Sequence, residues 1–260
     1  MFYVDFILFH KLLYIDEMIC VEREPIPRRM RFNKPYPFVR LRMGEFSEFI
    51  PELDRRRPHL AWIDYDTGPR PETLDDVVGL ARVLMPSSVV IVTFEALPRV
   101  PPEEDDPRAR ITPLRYYRDT LGPLLGGRLR AADVTPGRLP TVIARALRQL
   151  LRETLAERGL TFAQLFNFVY ADGAQMLTLG GMICDRTCRQ MLRNSVAMRL
   201  PFVGNHVAPR GISVPPLTER ERQWLEKNGG KRVAFELEPS LLARYLSYRR
   251  YYPAYFEAVV

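Results

Sequence analysis

Sulfur and imidazole are scarce in this sequence. Its 260 residues hold three cysteines (Cys20, Cys184, Cys188) and three histidines (His10, His59, His206). An odd cysteine count with no spaced framework excludes a disulfide-stapled secreted module and fits a reducing, cytoplasmic setting. Cys184-x-x-x-Cys188 lacks a second ligand pair and the histidines are scattered, so no metal site is expected. No apolar run reaches the roughly 18 residues a membrane-spanning helix needs. The opening stretch 2–13 is apolar, but it carries Asp5, His10 and Lys11 and has no cleavage-like end, so it does not read as a signal peptide. Internal repeats are absent. Lysine is nearly absent too (Lys11, Lys34, Lys227, Lys231), so arginine supplies most of the net charge of +7. A basic, arginine-rich surface favours polyanions such as nucleic acid; a GC-rich or heat-adapted ancestry accounts for the same arginines.

What is present is ordinary for a soluble globular chain, with 47% hydrophobic and 27% charged residues. The most informative stretch is 58–97. The run Leu60-Ala-Trp-Ile-Asp-Tyr-Asp66 is apolar and then abruptly acidic. A helical interval follows over 70–85, and then the β-branched run Ser87-Ser-Val-Val-Ile-Val-Thr-Phe94. Apolar strands separated by a helix predict a parallel sheet covered on both faces. Ligands of such sheets bind at the carboxyl ends of strands, where Asp64, Tyr65 and Asp66 fall.

Upstream, the pattern predicts a helix over 2–13, a strand Met18-Ile-Cys-Val-Glu22 ending in an acid, and a strand over 38–43 ending at Gly44-Glu45. One or two helical turns are expected over 46–53. The proline-rich acidic segment 98–107 reads as a mobile loop over which no regular element can form. A short helix is expected over 114–125. Pro140 opens a long helix closed by Gly159, with Ile143, Leu147, Leu150, Leu151 and Leu155 on one face and Arg145, Arg148 and Arg152 on another. Apolar runs at 162–169 and 176–183 flank Asp172-Gly173, a strong hairpin signal. Thr218-x-x-Glu221 is a capping box, and Gly229-Gly230 ends its helix. No recognition-type second helix follows it, which argues against a helix-turn-helix. The tail 239–260 interleaves Tyr245, Tyr248, Tyr251, Tyr252 and Tyr255 with Arg244, Arg249 and Arg250. Such a tail either stacks bases or docks as an aromatic C-terminal helix.

The order strand-Glu, strand-Gly, strand-Asp-Tyr-Asp, helix, strand, helix, terminal hairpin resembles a class I S-adenosylmethionine-dependent methyltransferase over about residues 1–185. More narrowly, Tyr3-Val-Asp-Phe, Met18-Ile-Cys-Val-Glu22 and Trp62-Ile-Asp-Tyr-Asp66 look like a bacterial O-methyltransferase group. The resemblance implies a Rossmann-like α/β fold: a mostly parallel sheet, helices on both faces and a terminal antiparallel hairpin. It implies a domain over 1–205, with 206–260 as a helical extension. S-adenosylmethionine is the implied cofactor. Glu22 stands where the family's acid accepts hydrogen bonds from the ribose hydroxyls, and Gly44 and Glu45 where the adenine side is contacted. Asp64 and Tyr65 fall beside the methyl donor. Asp64 or Asp66 would orient or deprotonate the acceptor, and Tyr65 would stack on a flat substrate. Glu22 as a solvated strand end, Gly44 as a plain turn and Asp66 as a turn cap are the competing structural readings.

The family's first strand and glycine-rich loop are not seen before Tyr3. An upstream start, a strand supplied by another chain or segment, or a degenerate fold serving as a non-catalytic binding or assembly module each account for this. An incomplete sheet also makes self-association or a partner chain more expected than usual.

Overall fold

The structure is a computed structural model that describes residues 3–23, 26–100, 111–127, 129–230 and 233–249. Two compact units emerge, one of residues 1–46 with 213–260 and one of residues 47–212.

In the first unit, α1 (Val4–Leu13) leads to β1 (Met18–Glu22), α2 (Pro27–Phe32) and β2 (Val39–Met43). The two strands pair in parallel, with Met18 opposite Val39 and Glu22 opposite Met43. Tyr3, Met18, Cys20, Met30 and Val39 form the buried centre. Tyr3 donates its hydroxyl to the Met30 carbonyl at 3.1 Å. His10 lies against Tyr36 and Phe38, 4.6 and 4.8 Å between ring centres.

The second unit opens within α3 (Phe46–Phe49). It then runs through β3 (Leu60–Asp64), α4 (Pro71–Val83), β4 (Val89–Glu95), α5 (Pro113–Leu121) and α6 (Leu139–Ala156). The hairpin β5 (Thr161–Asp172) and β6 (Ala174–Cys184), α7 (Arg186–Asn194) and β7 (Arg210–Gly211) complete it. Its sheet has the order β3-β4-β6-β5-β7. β3 and β4 are parallel, β6 is antiparallel to both β4 and β5, and β5 and β7 are parallel. The chain is therefore α/β, with parallel β-α-β pairing first and an antiparallel hairpin last, as the sequence predicts. Back in the first unit, α8 (Glu219–Lys227) and α9 (Pro239–Tyr248) follow.

Local chemistry sets the boundaries. Arg70 is extended, as a residue before proline must be, and Pro71 starts α4 where a missing N–H costs nothing. Thr73 accepts a hydrogen bond from the Arg70 N–H at 2.9 Å. Leu74, Val77, Leu80 and Ala81 give α4 one buried face. The long helix α6 buries Ile143, Leu147, Leu151 and Leu155, while Leu150 is only half-buried. Arg145 and Arg152 face solvent, whereas Arg148 bonds to Gln164 Oε1 at 3.3 Å. Gly173 turns the hairpin with φ of 70°.

The full burial expected of both apolar strands holds for β4 and fails for β3. In β4 every residue from Val90 to Glu95 is buried. In β3 only Ile63 is buried, and Leu60 and Trp62 are 38% and 37% exposed. The reason is position: β4 is paired on both sides, and β3 ends the sheet among the described residues. The loop expected at 98–107 falls largely outside the described residues, as do Tyr251, Tyr252 and Tyr255. Within the described tail, Tyr245 is buried and donates to Glu226 Oε1 at 2.6 Å. That tyrosine serves the docked-helix reading.

Candidate functional site

The parallel pairs β1–β2 and β3–β4 each carry an acid at the carboxyl end of the first strand. In the first unit this is Glu22, half-buried at the end of β1. Gly44, just past β2, donates its N–H to the Glu22 carbonyl at 3.0 Å. The chain turns there with φ of 138°, a conformation that side chains disfavour, so Gly44 is the residue that lets the two strand ends close on each other. Glu45 follows and is exposed. Glu22, Gly44 and Glu45 are thus gathered at one edge of the β1–β2 sheet.

In the second unit the acid is Asp64, exposed at the end of β3 in register with Thr93. Tyr65 and the exposed Asp66 follow it. Tyr65 donates its N–H to the Thr93 carbonyl at 3.0 Å, which extends the β3–β4 ladder by one residue. Its ring stacks on Phe94, 5.1 Å between centres and 11° between planes. Its hydroxyl donates to Asp76 Oδ2 on α4 at 2.7 Å. One face of that ring is therefore covered by protein.

The turn past Asp66 is tied down from two sides. The Thr67 carbonyl accepts the Glu95 N–H at 3.1 Å, and the Pro69 carbonyl accepts the Tyr116 hydroxyl at 2.9 Å. Glu95 ends β4 and its side chain is 4% exposed. Arg99 closes on both of its oxygens, Nε to Oε2 at 2.7 Å and the second nitrogen to Oε1. Hydrogen bonding to Glu95, with the attraction of its charge, pushes the Arg99 guanidinium above its ordinary value. Tyr117 donates to the Leu97 carbonyl at 3.0 Å, and burial pushes its phenol up.

Beneath this rim a polar line crosses four strands. Trp62 donates its indole N–H to Thr93 Oγ1 at 3.0 Å. Thr93 and Thr178 share a hydrogen bond at 2.9 Å, and Thr178 donates to the Tyr170 hydroxyl at 3.3 Å. On β6, Gly180 lies under Phe166, where an added Cβ would sit 2.1 Å from the ring.

A cavity of about 420 Å³ opens between the turn after α3 and the outer face of α4. Its lining includes Ile50, Arg55, Asp75, Asp76, Gly79 and Arg82. It shares Asp76 with the Tyr65 hydroxyl and contains none of the strand-end acids. Among the described residues no group of histidine, cysteine and carboxylate side chains is placed to hold a metal, and no helix is long and apolar enough to cross a membrane.

Residue-by-residue reading of the sequence missed Glu95, Arg99 and Asp76. Glu95 had a signal, an acid closing an apolar parallel strand, the same signature as Glu22 and Asp64. Asp76 had none, because its partner Tyr65 comes from just past β3 and not from its own helix.

The whole chain, residues 1–260, matches the family described as "Putative O-methyltransferase". No curated protein matches it. Among solved structures, the complex of LepI with SAM is similar at 11% identity and a TM-score of 0.35, over 69% of this chain and 40% of that one. The chain thus spans well under half of LepI. A variant of the 16S rRNA (adenine(1408)-N(1))-methyltransferase from Catenulisporales acidiphilia, with cosubstrate SAM, is similar at 15% identity and a TM-score of 0.36. That match covers 70% of this chain and 81% of the other. At such scores neither likeness bears on activity.

Proposed function

The chain belongs to this O-methyltransferase family, and from that premise we propose that it transfers a methyl group from S-adenosylmethionine, with Glu22 in the first unit and Asp64 and Asp66 in the second as its candidate site residues. Methyl transfer from S-adenosylmethionine is the family's chemistry. When bound, the donor supplies an electrophilic methyl group on a positively charged sulfonium. The observation that carries the reading is the matched pair of strand-end acids, Glu22 after β1 and Asp64 after β3, each at the carboxyl end of a parallel strand. The donor set fits the cofactor's polar groups: a carboxylate offers two acceptor oxygens to a vicinal diol, and a carboxylate is the side chain that favours a nearby cation.

Glu22 accepts from the ribose hydroxyls, and the Gly44 turn brings backbone beside it without a Cβ in the way. Glu45 extends that edge toward the adenine side. In the second unit, Asp64 would supply the negative charge that a sulfonium favours. Tyr65 is held by Phe94 and Asp76, so it fixes the orientation of the carboxylates on either side of it. Asp66 would hold an acceptor hydroxyl and take its proton onto a carboxylate oxygen. The turn around it is pinned through Thr67 and Pro69, which preorganises that carboxylate.

Titration calorimetry with S-adenosylmethionine and S-adenosylhomocysteine tests this reading. Micromolar binding is expected, weakened about tenfold or more in Glu22→Ala, a loss of roughly 1.4 kcal/mol or greater. Circular dichroism of the variant separates lost binding from lost fold. Absence of binding at millimolar cofactor overturns the reading for this chain.

A further inference from the structure

Two thiols stand far in sequence from the strand-end acids and take no part in the chemistry above. Cys184 ends β6 and Cys188 lies in the first turn of α7. Both are free and buried, and their sulfurs are 2.8 Å apart. Non-bonded carbon atoms settle at about 3.5–4.0 Å and sulfur is the larger atom, so the fold presses these two sulfurs inside ordinary contact. An S–S bond is about 2.05 Å long. A tetrahedral metal with bonds of about 2.3 Å would spread two thiolates to about 3.8 Å. The spacing lies on the bond's side of contact and away from the metal's. Neither sulfur has to cross a gap to reach the other.

A second observation concerns α7 itself. Cys188 is its one buried side chain among the described residues. The helix is held at its start by the Asp185 cap, which accepts the Cys188 N–H at 2.7 Å, and by the sulfur contacts of Cys188 with Cys184 and with Met182 Sδ at 3.5 Å. Apart from the half-buried Leu192, the rest of α7 faces solvent, including Arg186, Arg189, Met191 and Arg193. Its firmest attachments to the sheet are therefore the cap and the pair of thiols.

We propose that Cys184 and Cys188 form a reversible disulfide that fastens α7 to β6 when the protein meets a peroxide. Cys188, 7% exposed against 0% for Cys184, is the sulfur a small oxidant reaches first. Its thiolate attacks one peroxide oxygen, the O–O bond breaks, and the leaving hydroxide takes up the thiol proton as water. The product is a sulfenic acid on Cys188. Cys184 then attacks that sulfur, the S–O bond breaks, and the departing hydroxide leaves with the Cys184 proton as a second water. Two thiols lose two electrons in all, and one peroxide becomes two waters. Burial raises the Cys184 thiol above its ordinary value, which slows this second step because the thiolate is the attacking form, while the 2.8 Å contact leaves it no distance to cross. A dithiol reductant reverses the bond.

The sequence provides its own readout. Trypsin cuts after Arg186, between the two cysteines, and the flanking cuts fall after Arg158 and Arg189. In the reduced protein, fragments 159–186 and 187–189 separate; in the disulfide form they stay joined. The full chain is treated with an equivalent of hydrogen peroxide, free thiols are alkylated, and the digest is weighed with and without dithiothreitol. The joined fragment, two hydrogens lighter than its parts and released by dithiothreitol, is the expected result. Cys20→Ser should keep it and Cys188→Ser should lose it. Three results overturn the proposal: both cysteines alkylated after the peroxide is consumed, sulfinic acid on Cys188, or a bond from either cysteine to Cys20 or to a second chain. The wild-type map decides between these results even where a variant fails to fold.

Discussion

Arg99 grips the carboxylate of Glu95 from four residues downstream, and the two differ sharply in setting: the glutamate side chain is 4% exposed and the arginine side chain 61%. The charge that needs the partner is the glutamate, since desolvating a carboxylate without compensation is costly. Arg99→Ala should destabilise the second unit, because it leaves a buried charged acceptor with its side-chain partner gone. Glu95→Gln should cost less, since the amide is neutral. Urea unfolding of the two variants against the parent checks the order. Equal losses would mean that solvent already satisfies Glu95.

The two glycines of β6 should differ in what they tolerate. A Cβ on Gly180 would meet the Phe166 ring, 2.1 Å away, and that ring belongs to a half-buried side chain able to tilt outward. A Cβ on Gly181 would meet the Phe162 ring at 2.4 Å and also the Ala163 carbonyl at 2.6 Å, which is backbone. Overpacking of this kind costs about 1–3 kcal/mol. Gly181→Ala is expected at or above the top of that range and Gly180→Ala near the bottom. Thermal melts of both variants decide.

Tyr65→Phe keeps the stack on Phe94 and removes the hydroxyl that donates to Asp76. A stability loss of about 1 kcal/mol is expected. On the reading of Tyr65 as a positioning residue, the same variant should also weaken S-adenosylmethionine binding, measured by calorimetry under conditions where the variant remains folded. A loss of stability with unchanged affinity would leave Tyr65 a structural role only.

Ser87 adopts a left-handed backbone with φ of 72° and is exposed, while its N–H donates to the Ile183 carbonyl at 2.8 Å. A side chain there costs roughly 1 kcal/mol relative to glycine in that conformation. Ser87→Gly removes the strain and keeps the hydrogen bond, but it loosens the unfolded chain. The net change should lie between zero and a gain of about 1 kcal/mol. A clear loss in a chemical-denaturation series would contradict this.

Alkaline pH should loosen the first unit through Cys20. Burial, with the nearby Glu22 charge, raises its thiol from 9.0 to about 11. A raised value in the folded state means the folded state holds the proton longer. The stabilisation is therefore complete below pH 9, where both states are protonated, and it falls away as pH rises to about 11. Cys20→Ala should flatten that part of the stability–pH curve, although it lowers stability overall through the lost packing. A parallel downward slope in both proteins would assign the alkaline loss to other groups.

The sequence by itself determined the local elements. Periodicity and punctuation set them because both act within a few residues: Pro71 and Pro140 near helix starts, Asp172-Gly173 at the hairpin, Thr218 with Glu221 at the cap of α8. It also placed acids at strand ends, since an apolar run that stops at Glu22 or Asp64 shows its boundary in composition alone. The tertiary structure decided what those residues touch. Whether a strand is paired on one side or two, and so whether Trp62 is buried, depends on neighbours distant in sequence. That Tyr65 spends its hydroxyl on Asp76, that Glu95 is enclosed with Arg99, and that Cys184 and Cys188 press together follows from packing among strand ends and helix starts. Hydrophobic pattern records which face of an element turns inward; it carries no record of which polar atom waits there.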